Sequence, residues 1–163
     1  MNDGMDFLVC SRQDFPYPFL ELDEGGELAQ IFSPRTSCFQ TLDERLHFAM
    51  RSFKMGMGIA LCVEELCPGG LDPTDGIRIA QAFERAGARF VIASGGTSDF
   101  LALKDRRMTR IQKDPNHAWL ASACWLIGRV AVPVYAQGYF DEEPDPSLMD
   151  QAKVSGLSGL VRL

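Results

Sequence analysis

The segment Gly58 to Gly96 constrains this chain more than any other, because it reads as one complete strand–helix–strand unit. Gly58-Ile59-Ala60-Leu61-Cys62-Val63 is a short apolar run suited to a strand buried on both faces. Glu64 to Leu71 form the following loop, which carries Pro68, Gly69 and Gly70. Asp72-Pro73 then opens a helix, with Asp as its cap and Pro at the first position, where a missing N–H costs nothing. Ile77, Ala80 and Phe83 continue that helix, and Gly87 stands at the left-handed stop position. Arg89 to Ala93 is a second buried strand, ending in Ser94-Gly95-Gly96. Buried strands joined by a helix run parallel. The domain is therefore α/β, and any ligand chemistry belongs at the strand C-termini.

The same alternation extends through the chain. Phe7 to Cys10 reads as a first strand, followed by a polar, proline-bearing loop from Arg12 to Gly26. Thr41-Leu42-Asp43-Glu44 is a capping box that opens a helix running to about Lys54. Thr97 to Asn116 reads as a second long loop, and a short helix follows from about Ala118 to Ile127. Val132 to Ala136 is the fourth strand, Asp145-Pro146 opens the last helix, and Leu160-Val161 begins a fifth strand. Continuous alternation without internal repeats predicts a single domain over residues 1–163.

Composition narrows the function classes. A net charge of −6 argues against a general nucleic-acid binder, which is normally basic. No apolar run is long enough to cross a bilayer, so no membrane partner is expected. Met1 to Gly4 is too short and polar for a targeting peptide. The five cysteines lack metal-ligand spacing, Cys62 and Cys67 being five apart. Their odd number, without a secretion signal, predicts reduced thiols packed as small hydrophobes in a cytoplasmic protein, with no metal. Glu64-Glu65 and Asp141-Glu142-Glu143 read as solvent-facing loop charge, as does the basic cluster from Lys104 to Lys113. Trp119 and Trp125 read as core or interface residues.

Five segments in order carry a family resemblance. Leu28-Ala29-Gln30-Ile31-Phe32-Ser33-Pro34 is similar to an L-x-Q-F-L-S-P segment, and Asp43-Glu44-Arg45-Leu46-His47-Phe48 to an E-N-R-x-R-F helix start. With the Gly58–Leu71 run, the Ala86–Gly96 run and Val132-Pro133-Val134-Tyr135-Ala136-Gln137-Gly138, they resemble the second half of old yellow enzyme barrels, the FMN-dependent NAD(P)H oxidoreductases. The resemblance implies a partial TIM barrel of about five parallel strands in chain order; an open doubly wound sheet is the alternative. A complete barrel of this type needs about 250 residues, so the 163 residues here correspond to a truncated barrel.

The family's site residues map onto degenerate positions. Its H-x-x-[HN]-x-Y donors, which polarise the substrate for hydride transfer from reduced flavin, fall on Ser11 and Asp14, and its tyrosine on Pro16 with Tyr17 one residue away. An ionised Asp only accepts hydrogen bonds and cannot hold a developing oxyanion. The arginine that faces the flavin is matched by Ala60. For the flavin phosphate the resemblance leaves Gly95, Gly96 and Gly138, with Arg162 about two residues early for the family's final Gly-Arg pair. The resemblance thus names FMN as cofactor, while the substitutions predict weak FMN binding or none.

Two functions follow as alternatives: an ene-reductase-like activity that is incomplete or inactive in the isolated chain, or a catalytically dead structural or binding subunit. Half a barrel also leaves its strand edges open and the inward side chains, predicted as Ile59, Leu61, Phe90 or Ile92, and Val134, facing water. That exposure predicts a homo-oligomer or a partner subunit over the concave face, or else internal cover by the Arg12–Gly26 loop.

Overall fold

The computed structural model describes residues 7–96 and 115–163. The Lys104–Lys113 cluster and most of the Thr97–Asn116 segment lie outside the described residues. Along the described chain run β1 (Leu8–Ser11), a 3-10 turn (Arg12–Asp14), β2 (Phe19–Glu21), α1 (Ala29–Phe32), α2 (Leu42–Met50) and β3 (Gly58–Glu64). They are followed by α3 (Pro73–Arg85), β4 (Val91–Gly95), α4 (Pro115–Cys124), β5 (Val134–Gly138), α5 (Pro146–Val154) and β6 (Gly159–Arg162).

Local signals place the helix starts. Thr41 accepts from the Glu44 N–H while the Glu44 side chain accepts from the Thr41 N–H, closing the capping box of α2. Asp72 caps α3 with Pro73 in its first turn, and Asp145 caps α5 with Pro146 likewise. Gly87, at φ +98°, ends α3 in the left-handed region that a side chain disfavours. Arg45 is buried in α2 and donates to the Phe32 carbonyl at 2.9 Å, so it fastens α1 to α2.

The six described strands form one all-parallel sheet, in the order β1-β6-β5-β4-β3-β2. It curls into a half-barrel with helices alternating along it. Two features depart from the sequence reading. The first strand does not neighbour β3: Leu8–Ser11 pairs with Gly159–Arg162, beyond the far end of the expected order. Part of the Arg12–Gly26 segment is also strand, because Phe19–Glu21 pairs in parallel with Gly58–Ala60. The pairing of β1 with β6 depends on a close approach: a β-carbon on Gly159 would overlap the Leu8 carbonyl.

The connection between β1 and β2 explains both departures. Parallel strands require a return crossing, usually a helix of a dozen or more residues on the outside. Here residues 12–18 make the return along the inner face. Phe15 is buried there, its ring 5.0 Å from Phe90 and 5.2 Å from Tyr135. At the far end Pro18 accepts from the Gly58 N–H, at the foot of β3. Ala60, Phe90, Ile92, Tyr135 and Val161 pack with Phe15 as a separate inner cluster.

The inward set therefore differs from the expected one. Ile59, Leu61 and Val134 belong to the larger cluster between sheet and helices, whereas Phe90 and Ile92 do face inward. Strand alternation fixes this choice: in β3, β4 and β5 the inward residues are Ala60, Ile92 and Tyr135, and their neighbours turn toward the helices.

Candidate functional site

Two residues further along each strand, the same parity brings Cys62, Ser94 and Gln137 to the C-terminal mouth of the half-barrel. The inner crossing delivers the other components. Because residues 12–18 descend from the end of β1 and β2 climbs back, Arg12 and Asp23 meet at the mouth. Arg12 donates to Asp23 through both terminal nitrogens, at 2.8 and 3.1 Å, and to the Gln137 side-chain oxygen. Gln137 donates to Asp23 at 2.8 Å, and Glu21 lies 3.3 Å from Arg12. The Arg12 guanidinium also sits 5.1 Å over the Phe19 ring. This ion pair is largely shielded from solvent, its side chains being 16% (Arg12) and 6% (Asp23) exposed. It links the ends of the two edge strands to the middle of the sheet.

A cavity of about 300 Å³ opens over this network, lined by Arg12, Asp23, Ser94, Trp119, Gln137 and Tyr139. Glu24 and Cys62 also border it, and both are shared with an adjoining cavity of about 460 Å³ bounded in part by Phe32, Arg35 and Leu71. The Trp119 and Tyr139 rings lie 4.7 Å apart at the rim. Burial pushes the Cys62 thiol well above its ordinary pKa, reinforced by the carboxylates of Glu65, Glu24, Asp23 and Glu64. It stays protonated and donates to the Glu64 carbonyl at 3.2 Å.

Of the sequence-derived site residues, Gly96 lines the mouth cavity, and the others take places around it. Ser11 ends β1, where its hydroxyl accepts from the Gln13 N–H at 3.2 Å. Asp14 is exposed on the 3-10 turn, and Tyr17 packs its ring against Phe15 and Phe90. Ala60 is fully buried in the inner cluster beside Phe15. A β-carbon on Gly95 would overlap the Ser122 side chain, so this glycine brings β4 against α4. Gly96 donates its N–H to the Glu64 carbonyl at 2.8 Å. Gly138 is covered by the Trp119 ring, which a β-carbon there would strike.

Other charges take structural places. Glu64 accepts from the Ser122 hydroxyl at 2.7 Å and from the Trp125 indole at 3.3 Å, which holds α4 to β3. Glu65 is buried rather than solvent-facing, and its carboxylate accepts the Leu71 N–H at 2.8 Å to close the β3–α3 loop. Of the five cysteines only Cys62 is buried, Cys10 packs half-buried against the inner cluster, and Cys38 is exposed, so small-hydrophobe packing does not describe all of them. Among the described residues no cluster of His, Cys, Asp or Glu could hold a metal ion, and no helix is long and apolar enough to cross a membrane.

Sequence reasoning missed Arg12, Asp23, Ser94 and Gln137 as a group. Strand parity counted from Ala60 could have turned Ser94 and Gln137 inward, but nothing local indicates that Arg12 and Asp23 meet. No family model matches the chain, and no curated protein matches it. Among solved structures it is similar in fold to a 2-naphthoyl-CoA reductase in complex with 2-naphthoyl-CoA. The TM-score is 0.61 and the identity 16%, over 88% of this chain and 23% of that one. The chain thus spans less than a quarter of that reductase, and a likeness at this identity is one of fold.

Proposed function

We propose that this chain is an old yellow enzyme-like half-barrel without flavin chemistry, acting as a small-molecule-binding module at its mouth. The observation that carries this reading is the filling of the positions where the family holds FMN. The place of the flavin-facing arginine is a buried Ala60 under Phe15. The Gly138 cradle is occupied by the Trp119 indole, and the Gly96 N–H is committed to Glu64. Arg12, the one cation lining the mouth among the described residues, is already held by Asp23. These residues do not fit FMN, and no reductase step is assigned to them. Titrating FMN into the protein while following flavin fluorescence tests the reading. No submicromolar binding is expected, and Ala60→Arg should not create it. Stoichiometric, submicromolar uptake would return the chain to the FMN-dependent oxidoreductases.

The inner crossing also bears on association. With Phe15 over the concave face, the half-barrel carries its own cover, which supports a monomer rather than a homodimer. Light scattering at micromolar concentration is expected to give the monomer mass; a stable dimer would return the cover to a second copy. The five free thiols favour the reducing cytoplasm as its setting.

A further inference from the structure

Glu65 is a buried carboxylate with one oxygen engaged and the other not. It follows β3, is 4% exposed and accepts the Leu71 N–H through Oε2 at 2.8 Å, while its own N–H donates to the Leu71 carbonyl at 3.0 Å. The loop closes tightly over Oε2, because a β-carbon on Gly70 would overlap it. Among the described residues no hydrogen bond or ion pair engages Oε1. An ionised carboxyl offers about four acceptor sites, and buried polar atoms are ordinarily paired. Oε1 therefore calls for a donor from outside the fold.

The cavity of about 460 Å³ beside the mouth is where that donor can enter, since Glu65 lines it. Its described lining runs from Leu22 to Leu71, all of it ahead of β4 in the chain. None of Ala60, Gly95, Gly96 and Gly138, the positions that the resemblance links to flavin, belongs to it. Leu22, Phe32 and Leu71 give it an apolar wall. Arg35 and Glu24, of opposite sign, also line it, so the fit of a ligand is argued from hydrogen bonding and not from net charge. A water occupies about 30 Å³ of liquid volume, so the space equals roughly fifteen waters and admits a molecule of about ten heavy atoms.

We propose that this second cavity binds a small molecule with an apolar body and a terminal N–H or O–H, the body against Leu22, Phe32 and Leu71 and the donor on Glu65 Oε1. Cyclohexanecarboxamide and cyclohexyl methyl ketone are suitable probes, because they share shape and carbonyl and differ only in an amino group against a methyl. Ligand-observed NMR titration is expected to show the carboxamide binding and the ketone weaker by about tenfold or more, as for one hydrogen bond to a charged group. In Glu65→Gln the amide oxygen can still accept from the Leu71 N–H, so the loop and the melting temperature should hold. Its amino group then stands in the place of Oε1 and cannot accept, so the preference for the carboxamide should vanish. Ala29→Phe fills the same cavity from α1 with Glu65 intact, and it should abolish binding of both probes. That variant decides the matter if Glu65→Gln does not fold. Equal binding of the two probes would overturn the proposal, as would a preference kept in Glu65→Gln or carboxamide binding kept in Ala29→Phe. So would the absence of carboxamide binding at millimolar concentration, which would leave Oε1 to water. FMN uptake by the same protein would overturn the flavin-free reading alone, because no position linked to flavin lines this cavity.

Discussion

Replacing Phe15 by alanine is expected to cost about 3–5 kcal/mol of folding free energy, the range for removing a fully packed phenyl ring. Phe15 is the side chain that fills the concave face: its ring meets Tyr17, Phe19, Phe90 and Tyr135 within 6 Å, three of these pairs edge-to-face. The inner cluster has little else to collapse with, because Ala60, Ile92, Tyr135 and Val161 stand on paired strands and cannot shift inward. A typical domain is stable by only about 5–15 kcal/mol, so the substitution removes a large share of the total. Urea denaturation should show a lower midpoint with an unchanged slope, as for a native state that is weakened rather than rearranged. A loss below about 1 kcal/mol would mean that Phe15 is not the cover.

Arg12→Met should be nearly as damaging, for an electrostatic reason. Removing one partner of a buried ion pair typically costs about 3–5 kcal/mol, because the other charge is left uncompensated. Among the described residues Asp23 would then keep only the Gln137 amide as a side-chain donor. Much of that loss should return in the double variant Arg12→Met with Asp23→Asn, in which neither charge of the pair remains and the amide can still pair with Gln137. The four proteins form a cycle whose coupling is expected to exceed about 1.5 kcal/mol; additive losses would show that the pair does not hold the two edge strands together.

The sequence reveals best what neighbouring residues decide among themselves. The Gly58–Gly96 unit appears within a residue or two of its observed limits, because a buried strand, an Asp-Pro start and a Gly stop are each set within a few positions. The capping box at Thr41 and the Asp145-Pro146 start hold for the same reason. The strand partner of Leu8–Ser11 was not legible, because pairing is decided across the sheet by which edge is free and by the small Gly159 opposite. Three residues of β2 between Pro18 and Gly25-Gly26 are too few for an alternation signal, so turn formers dominate the segment. The mouth was hidden by the same non-locality: Arg12, Asp23 and Gln137 carry no mutual spacing, and only the inward return of residues 12–18 brings them together.

That return also sets an order of events during folding. β1 is the first described element and the strand it pairs with, β6, is the last, so its hydrogen bonds close the longest loop available to the described chain. Until β6 is present, Leu8–Ser11 has no edge to join and Phe15 has only part of its surround. Pairings of such long sequence separation are slow to form. The β3–α3–β4 unit needs only local contacts and should be structured early, with the N-terminal strand locking in at the final step. Variants of Phe15 or Arg12 should accordingly speed unfolding more than they slow refolding.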